Sequence, residues 1–105
     1  MTRDSVLVWL QGRQPQPPVT LARQLARRIE IAADSAFEGD SIAQVVGALG
    51  VTSLREVVER QNVAYDAALD LLAADAFVTY AFEAVSEEGG DVTGLARRLL
   101  VEVRG

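Results

Sequence analysis

Asp75, Thr79 and Glu83 recur at four-residue spacing, which on a helix stacks them along a single ridge. Two carboxylates on a partly apolar helix suit two kinds of chemistry. Burial would raise the pKa of one and make it a general acid beside an ionised base, and an open arrangement would hold a hard divalent cation. Two acidic loops offer a weaker version of the second option: Asp34, Glu38 and Asp40 around one, and Glu87, Glu88 and Asp91 around another. Neither has the spacing of an EF-hand loop.

Other catalytic options are closed by composition. The chain has no Cys and no His, so it has no thiolate nucleophile, no disulfide, no imidazole base and no zinc site of the usual kind. Ser-His-Asp and Cys-His arrangements are excluded outright. Carboxylate bundles that bind metals also recruit His and a second acidic helix, so the acids read more simply as solvated or Arg-paired groups. The expectation is a protein that is not an enzyme and needs no cofactor.

All ten cationic residues are Arg, as a GC-rich genome would produce. Net charge is −5, distributed as +2 over residues 1–35, −9 over residues 36–91 and +2 over residues 92–105. Basic outer helices around an acidic centre lower self-repulsion. An acidic chain is a poor partner for nucleic acid. Asp66, Asp70, Asp75 and Glu83 interrupt the most apolar stretch, from Val63 to Val85, which argues against a membrane span. The Val6–Leu10 run is too short to span, and Asp4 stands where a signal peptide carries positive charge. A cytoplasmic protein is expected.

These residues need helices to position them. Half of the 105 residues are hydrophobic, enough for one folded domain over residues 1–105. Asp4 and Ser5 suit a helix start, and Gly12 a stop, for a first short helix from Ser5 to Gln11; a buried strand competes for the same apolar run. Pro15, Pro17 and Pro18 then make a stiff connector, so within the single domain residues 1–18 are a short N-terminal helix plus a Pro-rich connector and residues 19–105 the helical core. Thr20 is expected to cap a second helix that runs to Phe37, with Leu21, Leu25, Ile29, Ala32 and Ala36 on its apolar side. Asp40 or Ser41 caps a third, which Gly50 ends after Leu49.

Ser53 and Glu56 form a capping-box pattern. No Gly or Pro follows before Gly89, so one helix of about 34 residues, roughly 50 Å long, is allowed, with Asn62 as the point where it would bend or break. Thr93 caps a last helix with Leu95, Ala96, Leu99, Leu100 and Val103 on one face and Arg97, Arg98 and Arg104 on the other. The predicted fold class is therefore all-α: a small helical bundle of about four to five helices with one long central helix.

Within the segment from Ile42 to Val58, the order of short helix, Gly turn and capped second helix resembles a helix-turn-helix. That resemblance implies a small regulatory DNA-binding domain. The segment departs from the pattern at Val46, where a small residue is usual, and at Glu56, where an apolar one would be buried; Glu56 and Glu59 would also face phosphates beside Arg55 and Arg60. The run from Leu71 to Glu83 looks like a core helix of the polyprenyl diphosphate synthases, although the aspartate-rich motifs that hold Mg²⁺-diphosphate in that family are missing.

The long helix carries more apolar surface than one core-facing stripe needs. Leu54, Val57, Val58, Tyr65, Ala68 and Leu72 make one stripe, and Val63, Ala67, Leu71, Ala74, Val78, Ala81 and Val85 make a second. Such a helix is central to its own bundle or shared with a second subunit. The expected interface is Val63, Ala67, Leu71, Ala74, Val78 and Val85, with Trp9 as either a core anchor or a partner contact. The function this implies is a non-enzymatic helical interaction or oligomerisation module, working as a homodimer or with another helical protein. The alternatives are the helix-turn-helix-like DNA-binding domain and the carboxylate metal-binding bundle.

Overall fold

A computed structural model describes residues 1–60 and 65–104. Among the described residues there are five α-helices and no strand: α1 (Arg3–Gln11), α2 (Val19–Ile31), α3 (Ile42–Arg60), α4 (Tyr65–Glu87) and α5 (Val92–Arg104). A short 3-10 turn, Asp34–Phe37, lies between α2 and α3. The all-α bundle with a long central helix is thus what forms, α4 being the longest helix and packing against α2, α3 and α5.

Local signals explain the ends of α1 and α4. Thr2 caps α1, its hydroxyl accepting from the Ser5 amide while the Thr2 amide donates to Ser5 Oγ, each at 3.1 Å. The helix therefore starts two residues before the expected Ser5, and Gly12 ends it as expected. At the end of α4, Gly89 adopts a left-handed φ of 69°. The Gly90 amide then donates to the Val85 carbonyl at 2.8 Å and the Gly89 amide to Ser86 at 3.1 Å, a Schellman closure that favours Gly at the left-handed position.

Helix α2 stops at Ile31, well short of Phe37, because Ala32 turns extended. A residue from the other end of the segment holds it there. The Arg3 guanidinium donates to the carbonyls of Ile29, Glu30 and Ala32, the last two at 3.0 Å, and to Asp34 at 2.7 Å. It also lies 4.7 Å from the Phe37 ring centre. One cation thus satisfies carbonyls that a helix C-terminus leaves open and sits at the negative end of its dipole. Thr20 does not cap α2; the N-cap position belongs to Pro18, which tolerates a helix start because its missing N–H has no role there.

The largest departure from expectation is α3. Ser41 caps it, accepting from the Gln44 amide at 3.2 Å, but the helix does not stop at Gly50 and continues to Arg60. Ser53 is no cap: it is buried, and its hydroxyl donates to the Leu49 carbonyl at 2.8 Å. Both glycines lie where neighbouring helices come closest. A Cβ on Gly50 would stand 2.9 Å from Val78 Cγ2 and 3.2 Å from both the Ala74 carbonyl and Phe77 Cβ; one on Gly47 would stand 2.9 Å from Leu99 Cδ2. Each Gly costs a helix about 1 kcal/mol relative to Ala, and the close packing it permits offsets that.

The same contacts set the topology. Gly50 faces Ala74 and Val78, and Gly47 faces Ala81, so α3 and α4 run antiparallel. The single helix allowed from Ser53 onward is instead two helices packed side by side, with Leu54 on one and Val85 on the other. Asn62, the expected break point, falls outside the described residues. Leu99 places α5 against Gly47. On α2, Gln24 donates to Asp70 and Arg28 pairs with Glu56, which tie that helix to both members of the hairpin.

One core runs through the bundle, with Val6, Ile29, Val46 and Phe77 fully inaccessible. Val6 and Leu10 of α1 belong to it. The short N-terminal helix of residues 1–18 thus contributes side chains to the same core as the helices after residue 19.

Gly50→Val tests the close approach. The added carbons gain part of the roughly 1 kcal/mol of helix propensity that Gly lacks, while overpacking against a backbone carbonyl and two side chains costs about 1–3 kcal/mol or more. Chemical denaturation should show a net loss, partly restored by Val78→Ala in the same chain. An unchanged midpoint for Gly50→Val would contradict the packing described.

Candidate functional site

Most of the described residues of the expected α4 interface are covered within the chain. Ala67, Ala74 and Val85 are buried, and Val78 is half-buried against Gly50. Only Leu71, at 48% accessible, faces outward. Val63 lies outside the described residues. The second stripe of α4 is thus largely covered by α3 of the same chain, so the surplus of apolar surface from which a dimer was expected is mostly satisfied internally. The small side chains do allow close helix approach, but their partner is Gly47 and Gly50.

Trp9 is neither deeply buried nor open. Its ring meets the edge of Tyr80 in a T-shaped pair with centroids 6.2 Å apart. The Arg13 guanidinium lies 4.0 Å above the Trp9 ring and pairs with Glu87 at 2.7 Å. Aromatic and cation–π contacts of this kind contribute about 0.5–2 kcal/mol each. Trp9 is an anchor that ties α1 and the connector to α4.

Asp75, Thr79 and Glu83 all sit on the exposed side of α4. Thr79 turns its hydroxyl back to the Asp75 carbonyl at 3.0 Å. Nor do the loop acids gather: Asp34 is held by Arg3 and Glu87 by Arg13. Among the described residues no group of three or more His, Cys, Asp or Glu comes together as a metal site. The helix-turn-helix resemblance fails on geometry, since Ile42 to Arg60 is one continuous helix with no turn at Gly50, and Glu56 pairs with Arg28.

What residue patterns did not reveal is a groove built between elements. It lies along α1 and α2, with Leu10, Leu25 and Ile29 as its buried floor, Leu7 and Ala26 on its walls and Tyr80 of α4 at one side; its volume is about 380 Å³. Gln16 holds the connector in place by donating to the Gln11 carbonyl at 2.9 Å and to the Arg13 carbonyl.

Tyr80 is the described group with a clearly altered acidity. Burial pushes its phenol pKa above the ordinary 10.0, the nearby Glu83 carboxylate pushes in the same direction, and Arg13 opposes both. The hydroxyl is therefore neutral throughout the physiological range.

Fold and site together define a small helical bundle, with five α-helices among the described residues, and an open apolar groove between α1 and α2. Compared with known family models, with curated proteins and with solved structures, the chain matches none. No described helix is long and apolar enough to cross a membrane.

The Tyr80 environment predicts a pH dependence. A raised pKa means the folded state keeps the proton after the unfolded chain has lost it, so the contribution of Tyr80 to stability is constant well below pH 10 and falls as pH rises through and above 10. In a Tyr65→Phe background, ultraviolet titration of the phenolate should move down in pH for Glu83→Gln and up for Arg13→Gln. Shifts of the opposite sign would contradict the contacts described.

Proposed function

We propose that this chain is a non-enzymatic helical interaction module that pairs with a second copy of itself. The observation that carries the reading is the outer surface of α4 and α5. On α5, Leu100 and Val101 are 57% and 67% accessible, among the exposed Arg97, Arg98 and Arg104. On α4, Leu71 and Leu72 are similarly open, beside the exposed Asp75 and Glu83. Large apolar side chains in this density on neighbouring helices suit an interface more than a bare surface.

The charges are complementary as well. A two-fold pairing that lays the basic face of α5 on the acidic face of α4 in the other copy repeats the favourable contact twice and closes the assembly. Burying each large apolar side chain contributes about 1.5–3 kcal/mol, set against the cost of association. The non-enzymatic part of the reading rests on the missing His and Cys and on the open, dispersed setting of Asp75 and Glu83.

Light scattering tests the pairing. At micromolar concentration and low salt the mass should approach twice the 11.3 kDa of the chain, and it should fall toward the monomer as salt screens the opposed charges. Leu100→Asp should give a folded monomer under all these conditions. A monomeric parent chain, or a dimer that Leu100→Asp leaves intact, would rule out this surface.

A further inference from the structure

We propose that the groove between α1 and α2 binds a medium-length aliphatic chain with an anionic head, such as a fatty carboxylate, its head paired with Arg23. The groove is apolar along its length, with Leu10, Leu25 and Ile29 as floor, and Arg23 is the one charged residue that lines it. Arg23 is exposed and, like Arg27, Arg97 and Arg98, makes no ion pair among the described residues, and of these four it alone lines the groove. A single uncompensated guanidinium at the rim of an apolar channel selects for one kind of ligand: an apolar body ending in a carboxylate, which Arg can hold through two parallel hydrogen bonds.

Size narrows the occupant further. A volume of about 380 Å³ lies near the lower end of the range for small-molecule sites, roughly 300–1,000 Å³. A protein partner engages on the order of 20–30 residues a side, more than this groove and its rim supply. Neutral Tyr80 and the amides of Gln11 and Gln16 add polarity without charge, so Arg23 is the one lining group that would form an ion pair with the head. The site is separate from the α4–α5 surface, and its occupancy does not depend on pairing.

Calorimetric titration with dodecanoate, below its micelle threshold, should show saturable one-to-one binding. Dodecanol should bind more weakly, and dodecyltrimethylammonium, which Arg23 repels, weakest of the three. Arg23→Glu alters an exposed residue and should weaken dodecanoate tenfold or more, about 1.4 kcal/mol, while leaving dodecanol almost unchanged. Ala26→Trp should fill the groove and abolish binding, with folding checked by circular dichroism. Independently of any variant, amide shifts caused by dodecanoate should concentrate on α1 and α2.

No binding, equal affinity for the three head groups, or shifts that map elsewhere would overturn the proposal. A dimer that dodecanoate splits would place a second copy in the groove and overturn it as well; a dimer that dodecanoate leaves intact is the result expected if both surfaces work as proposed.

Discussion

The bundle depends on how closely α3 and α4 approach one another. At Gly50 there is no room for a β-carbon between the helix backbone and Val78, and at Gly47 the same space is taken by Leu99 from α5. Small residues on the facing side, Ala74 and Ala81, complete the fit. Two helices held this closely bring backbone against backbone, so many weak dispersion contacts accumulate over a short length. The outer helices then add to a platform already formed: α5 through Leu99, α2 through Gln24 and Arg28, and α1 through Trp9.

A second theme is the use of arginine to fasten segments that apolar packing alone would leave loose. Arg3 joins the start of α1 to the end of α2, and Arg13 joins the connector to the end of α4. Each uses its flat guanidinium twice, once for hydrogen bonds and once over an aromatic ring. Lys would supply the charge without the planar face or the fork of donors. Whatever produced the all-Arg composition, the fold exploits it at these two positions.

The helical class was legible because its signals are local. Leu25 and Ile29 recur at helical spacing and are buried, as are Leu95 and Leu99. Gly12 and Gly89 sit at helix ends, as their type suggests. Gly50 shows where such reading stops: a glycine that ends a helix and one that admits a neighbouring helix look the same in sequence, and only the partner distinguishes them. The capping pattern at Ser53 and Glu56 failed for the same reason, because Ser53 is buried inside α3 and Glu56 is paired with Arg28. The stripe on α4 was identified as apolar, yet its cover could not be assigned without knowing that α3 reverses onto it. The groove was invisible for a different reason, since it belongs to no single segment and arises where α1, α2 and Tyr80 meet.

The antiparallel hairpin of α3 and α4 also bears on how the chain reaches this state. Its two members are consecutive helices, so their pairing needs little else of the chain to be ordered beforehand. The Arg3 clamp differs not in span, since Gly47 and Ala81 lie as far apart in sequence, but in needing both α1 and the end of α2 in place before it forms. The hairpin is thus the natural nucleus, and its amides should be the last to exchange with solvent. The clamp and the groove both lie where α1 meets α2, so a ligand seated in the groove would stabilise the same docked arrangement of these two helices that Arg3 fastens.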